Sequence, residues 1–590
     1  MDIDILVVAV YFVFMVVIGF LFKRLAGNST SDYFRGGGKM LWWMVGSTAF
    51  MTQFSAWTFT GAAGKAFTDG FPIIVIFMAN AFGFLLSWWF FSYRFRQMRT
   101  ITPIEGVRRR FGASNEQVFT WATMPTSIVY TGIWLNGLAL FVSAVFKIDM
   151  STTIIATGLI VLLISLIGGS WGVVASDFVQ MVVIMSVTLV CAVAAIVKVG
   201  GPSNLIEQFP ADSIMGSGMN YPLLFISWFI FIFVKQLQSI NNMNDSYRFL
   251  TAKDSTNARK AALLAFVLML IGPVIWFLPP WATAVLYPDA ALAHSAELGN
   301  KAADAVYLVF VERVMPAGMV GLLMSAVFAA TMSSMDSGLN RNAGVFVRNF
   351  YSIFINKKAT DAKLMRVSQM VTIVFGVLII IVALFINSLR GLSLFDAMMY
   401  VGTLLQMPIL VPLFFGIFIR KTPDWAAWAT LAVGVIVSYL VSFVITPDVV
   451  AHWLQLENGF TKREASDLTV MNAIIGHLFI TGGFFCLTTK FYKEPKPQRD
   501  KEITEFWLDV DTPVIEGEGQ DEVDRQQRSM LGKLILVFGL LVTTMILIPN
   551  PFWGRMAFLF CGIVIVSVGG LLLKSAKVGV QKSQTKIIHS

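Results

Sequence analysis

Runs of roughly 20 predominantly apolar residues recur from one end of this 590-residue chain to the other. Each is long enough to cross the hydrocarbon core of a bilayer as a helix. A chain inside lipid must satisfy its backbone hydrogen bonds within itself, so the predicted fold class is an all-α polytopic membrane protein. We read about 15 spans. They lie at 3–22, 41–66, 71–93, 118–146, 151–169, 172–197, 221–240, 261–286, 317–347, 367–387, 393–419, 425–446, 470–489, 531–549 and 552–573. Only 13% of the residues are charged, about half the share in a soluble domain. Cys191, Cys486 and Cys561 all fall in apolar runs, and the histidines show no ligand spacing. These features argue against a disulfide framework and a structural zinc centre.

The net charge of +9 is distributed by side of the membrane. Asp2 and Asp4 precede the first span, and Lys23 and Arg24 follow it. That order is the reverse of a cleaved signal and places the N-terminus outside. With this orientation the inner loops up to residue 421 carry 21 Lys and Arg, and the outer loops carry 7. The basic excess is that of cytoplasmic loops, and no nucleic-acid partner is expected. The predicted location is the plasma membrane (a bacterial inner membrane), multi-pass, with the C-terminus cytoplasmic. Membrane lipid is the expected surrounding, and no obligate protein partner is evident. Segment 490–530 is rich in charge and reads as a largely solvated cytoplasmic linker.

Polar residues inside spans are costly and are therefore candidates for function. The second span carries Thr48, Thr52, Gln53, Ser55, Thr58 and Thr60. The seventh carries Lys235, Gln236, Gln238, Ser239, Asn241 and Asn242. These spans are five apart, so they cross in opposite directions. Matched polar interruptions in oppositely directed helices are the mark of an inverted repeat whose first helices are broken near the midplane. The alternative for each span is hydrogen bonding between helices. In the ninth span Ala330, Ser333, Ser334 and Ser337 share one helix face, with Asp336 beside it. Hydroxyls, a carbonyl and a carboxylate suit a small hard cation such as sodium. The same stripe also suits close helix packing. Asp177 is a further acid within the sixth span. No nucleophile–base pair supports an enzyme.

Five segments then carry a family resemblance: SDYFRGGGKMLWWMVGSTAF, TITPIEGVRRRFG, GGSWGVVASDFVQ, RFLTAKDSTNARKA and FAATMSSMDSGLN. In this order and spacing the chain resembles the sodium/solute symporter family over roughly residues 1–490. That family includes sodium/galactose, proline and sialic acid symporters and the sodium/glucose cotransporters. The resemblance implies a five-plus-five inverted repeat of the leucine-transporter type, with an extra N-terminal helix and additional C-terminal helices. The corresponding division is 1–40 (extra helix and loop), 41–200 and 201–422 (the two repeats), and 423–489 (additional helices). The linker 490–530 and the final helices and basic tail, 531–590, follow.

The family's main sodium site maps to Met51, Phe54, Ala330, Ser333 and Ser334, with Na+ as the transported coupling ion. A second cation site of some members maps to Asp177, Ser333, Asp336 and Ser337, with Asp336 where such members usually carry a hydroxyl. Asn242 aligns with a sugar-holding asparagine, but Gln53, Trp57, Thr58, Phe77, Met269 and Gln406 replace the other galactose positions. We assign Gln53, Trp57, Thr58, Phe77, Asn80, Lys235, Gln238, Asn241, Asn242 and Gln406 to the solute site. The implied function is sodium-coupled import of a small organic solute by alternating access. Lys235, a cation in an apolar span, pairs with a protein carboxylate or backbone carbonyls, snorkels from a lipid face, or meets a solute carboxylate; the last reading implies a sugar acid or other carboxylate, with Lys65 nearer the outer end as a guide. A proton-coupled transporter of the same fold is the alternative, as is a sodium symporter for a neutral sugar or amino acid.

Overall fold

The computed structural model describes residues 2–23, 30–210, 215–216, 218–389, 393–515 and 521–588. Among these it is helical throughout, with no strand beyond an isolated bridge between Met40 and Ala252. Twelve of the described helices are long and apolar enough to cross a membrane. Three further crossings complete the predicted set. They are the apolar stretch Ile3–Ile18, the stretch Met150–Leu166, and a broken second span made of Trp42–Met51, Ala56–Phe59 and Gly61–Asp69.

The break at 52–55 has a local cause. Ser55 is extended (φ −156°), and its hydroxyl caps the next helix by accepting the Trp57 N–H at 3.3 Å. Thr331 Oγ1 accepts the Ala56 N–H at 3.0 Å, which pins the break to helix Met319–Phe346. In the second repeat, helix Pro222–Ile240 ends at Asn241. There Asn242 Oδ1 accepts the Asp245 N–H at 3.1 Å while its amide donates to Ser239 O at 2.9 Å. A short turn then leads into Tyr247–Leu250. Asparagine side chains thus replace the backbone partners lost at the break. Both repeats open on a broken helix, as the inverted-repeat pattern predicts.

Met150–Val199 is one hydrogen-bonded helix of 50 residues, with no break at the predicted turn near 170. Ser165 bonds to Asp336, and Asp177 lies beside Ser333 on the same neighbouring helix. The stretches Met150–Leu166 and Trp171–Val199 of this helix thus both meet the central helix, and they correspond to the two predicted spans.

Burial separates the helices by role. Helix Met319–Ile355 is 94% buried over its apolar window, whereas Asp361–Ser388 is 33% buried. The second turns Met370, Ile373, Val377, Ile381 and Phe385 outward, as a lipid-facing helix does. The serine-rich stripe is therefore at the molecular centre.

The linker requires a correction. Residues 497–511 do not form a solvated tether. They form helix Pro497–Asp511, which buries Phe506, Trp507 and Val510 against helices Ser92–Gln97 and Pro103–Phe111. Trp507 lies between the guanidinium groups of Arg110 (5.3 Å) and Arg420 (4.6 Å), and Asp509 bridges Arg99 and Arg109. Beyond it, Val514 and Ser255 exchange backbone and side-chain bonds, and Lys253 pairs with Asp524 at 2.7 Å. Charge density obscured a narrow apolar face whose partners lie about 400 residues earlier in the chain. Trp507→Ala is expected to weaken this docking by up to roughly 3–5 kcal/mol. Limited proteolysis of membranes should then cleave the segment faster than in the parent protein. Equal cleavage rates would show that the helix is not held this way.

Candidate functional site

The candidate ion ligands converge where the first break meets the central helix. Ser334 Oγ donates to Phe54 O at 2.8 Å and lies 3.4 Å from Met51 O. The break frees these carbonyls from full helical pairing: Phe54 N reaches Met51 O in a tight turn, leaving acceptor capacity on a two-lone-pair oxygen. Ala330 and Ser333 are fully buried on the same helix, and Ser333 Oγ has no hydrogen-bond partner. All five residues expected from the resemblance thus share one buried region. A reorientable hydroxyl, with its proton turned away, can offer a cation its oxygen. This donor set fits a small hard cation.

A second buried group lies next to it. Neither carboxylate oxygen of Asp177 has a hydrogen-bond partner, and the side chain faces Ser333 and Thr48. Ser337 Oγ is also unpartnered. Asp336 accepts from Ser165 Oγ. Neither acid forms an ion pair among the described residues. Unpaired carboxylates at this depth require a cation or a proton.

A cavity of about 150 Å³ adjoins the main group, with Ser334 and Phe54 in its wall. Of the residues assigned to the solute site, Gln53, Trp57, Phe77, Asn80, Lys235 and Gln406 line it. Thr58, Gln238, Asn241 and Asn242 do not. Asn241 spends its amide on Gly83 O and Leu237 O, and Asn242 on Ser239 O and Asp245. They build the break rather than the lining. Met269 is likewise buried away from the cavity. Lys65 pairs with Asp69 at 2.7 Å and so is not a free cation.

The lining also contains residues not assigned to the solute site from sequence, among which Thr123, Thr126, Ser127 and Tyr130 were passed over altogether. Thr123, Thr126, Ser127, Tyr130 and Trp134 come from helix Ala113–Phe146, and Gln236 and Ser239 flank Lys235. The first five recur at i, i+3, i+4, i+7 and i+11, a helical face that was available as a signal. Trp57 is held in the cavity wall. Its ring stacks between Phe77 (6.2 Å) and Phe395 (5.8 Å), and its indole N–H donates to Leu394 O at 3.0 Å. Gly61 permits this packing, since a Cβ there would stand 2.9 Å from both Phe395 N and Trp57 Nε1.

Lys235 is buried, and its ammonium donates to Gln236 Oε1 at 2.9 Å. No carboxylate lies within ion-pair distance among the described residues. Gly402, in a π-helical turn at Val401–Gln406, leaves the space the ammonium occupies: a Cβ there would lie 3.1 Å from Lys235 Nζ and 2.6 Å from Tyr130 Oη.

Two broken helices, a buried oxygen-donor site at the first break and an adjoining polar cavity define an inverted-repeat membrane transporter. The sodium:solute symporter family model matches residues 33–434. The chain belongs to that family, whose members are transporters rather than enzymes. The sodium/myo-inositol cotransporter 2 of Rattus norvegicus is 23% identical over 463 residues, covering 73% of this chain and 69% of the relative. The sodium/glucose cotransporter of Vibrio parahaemolyticus is 26% identical over 464 residues, covering 74% and 83%. A substrate-bound outward-open Na+-coupled sialic acid symporter superposes with a TM-score of 0.65 at 21% identity, covering 84% of this chain and 99% of that one. That likeness supports the fold.

Proposed function

We propose that this sodium-coupled symporter imports a small hydroxylated carboxylate, such as a sugar acid. Sodium binds at Met51, Phe54, Ala330, Ser333 and Ser334, and a second cation at Asp177, Ser333, Asp336 and Ser337. The solute occupies the adjoining cavity. Coupling needs sodium and solute to raise each other's affinity, and that effect is reciprocal. The shared wall at Phe54 and Ser334 offers a route for it. Each inward charge moved through 100 mV adds about 2.3 kcal/mol to the driving force.

The observation that carries the solute class is Lys235. A buried ammonium whose named partner is a neutral amide is costly unless an anion joins it during the cycle. Gln53, Asn80, Gln406 and the threonines of helix Ala113–Phe146 supply donors and acceptors for hydroxyls, and Trp57 and Phe77 a surface for a ring.

Competitive uptake into proteoliposomes with glucuronate and glucose tests this. Glucuronate should compete better in the parent protein. Lys235→Met should weaken it by about tenfold to hundredfold, the value of a charge-assisted contact. If glucose competes as well as glucuronate, the carboxylate reading fails, and a neutral-polyol symporter, the class named among the relatives, takes its place.

A further inference from the structure

The cytoplasmic half of the cavity carries a second concentration of positive charge. Its lining includes Arg248 and Arg341 in addition to Lys235, and Asp245 is the only carboxylate among the lining residues. Both arginines also border a smaller cavity of about 40 Å³ toward the inner loops, with Thr102, Pro103 and Asn340. They therefore stand in the wall between the solute cavity and the cytoplasmic side.

Asp245 is shared between them. Its Oδ1 accepts from Arg248 Nη2 at 3.3 Å and lies 3.6 Å from Arg341 Nη1, and its Oδ2 is occupied by the Asn242 amide at 2.9 Å. Arg341 Nη2 donates to Ser127 Oγ at 3.1 Å, and both guanidinium groups lie over the Tyr247 ring. Arg248 is 4% exposed, yet its Nε and Nη1 have no hydrogen-bond partner. One carboxylate is too little for two guanidinium groups, Arg248 buried and Arg341 partly so, and buried donors left unmade are costly. A planar fork of N–H donors is matched by a carboxylate, which it can hold through two parallel bonds.

From this geometry we infer that Arg248 and Arg341 form an inner anion site that takes the solute's carboxylate after it leaves Lys235, before release to the cytoplasm. The inference rests on the carboxylate reading above. Asp245 sets the strength of the site: its negative charge offsets part of the attraction, so the anion is held without being trapped. A free inorganic anion such as phosphate offers similar chemistry. The size of the adjoining cavity and its continuity with the Lys235 region favour the organic solute.

Inside-out membrane vesicles containing the full chain expose this face. The measurement is the half-saturation for labelled glucuronate entering from the cytoplasmic side, with and without phosphate. Arg341→Gln should raise it about tenfold or more, as loss of a charge-assisted contact does. Asp245→Asn should lower it, because the site becomes more positive. Opposite shifts cannot come from general misfolding, which would impair both variants. If the parent protein carries glucuronate and Arg341→Gln keeps the parent half-saturation, the inner site is wrong and the carboxylate reading stands. The same holds if Asp245→Asn fails to tighten it, or if phosphate competes only through Arg341 while glucuronate is unaffected by the substitution. If the parent protein does not carry glucuronate at all, the carboxylate reading falls and this site with it.

Discussion

Ser334→Ala is expected to raise the sodium concentration for half-maximal uptake by about tenfold to hundredfold, the range for a lost polar contact to a charge. Ser334, together with Thr331, joins the broken second span to the central helix, reaching both Phe54 O and Met51 O. Alanine keeps the packing of a small residue at a site 2% exposed, so expression should stay near the parent level. Because coupling is reciprocal, the solute's half-saturation at a fixed low sodium concentration should rise as well. Sodium-dependence curves for the two proteins, normalised to surface amount, decide this. Identical sodium half-saturation would remove Ser334 from the ion site.

Asp336→Ser is expected to leave uptake sodium-dependent and to shift the charge moved per solute by about one elementary charge. Asp177 and Asp336 are buried together near Ser333 and Ser337, without an ion pair among the described residues. Asp336 also holds Ser165, so it ties helix Met150–Val199 to the central helix. The two roles give different results. Removal of a cation ligand alters the ratio of current to solute flux. Removal of a structural carboxylate lowers thermal stability and leaves that ratio unchanged. Simultaneous current and tracer measurements on the two proteins separate them, and an unaltered ratio assigns Asp336 to structure alone.

The apolar runs, their order, the two interruptions and the residues able to offer oxygen to a hard cation are legible in the chain before folding. These follow from local chemistry. A bilayer demands apolar runs of fixed length, and a polar cluster such as Thr52–Gln53 or Asn241–Asn242 within one is costly enough to mark a break wherever it falls. The serine stripe of the ninth span was readable for the same reason: one helix face is a matter of residue spacing alone.

Which polar residues of a buried helix face the cavity depends on packing. On helix Pro222–Ile240, Lys235, Gln236 and Ser239 line it, while Gln238 and the following Asn241 and Asn242 do not. Hydrophobic periodicity sets a helix's rotation when one side meets water. It carries little information when one side meets lipid and the other meets protein, since both are apolar over much of their area. The rotation is then set by distant partners: Thr331 on Ala56, Gly83 on Asn241, Gly402 beside Lys235. The docked helix Pro497–Asp511 and the sharing of Asp245 by Arg248 and Arg341 depend on the same kind of long-range contact. Such contacts join residues far apart in the chain, and only the packed fold fixes which pairs meet.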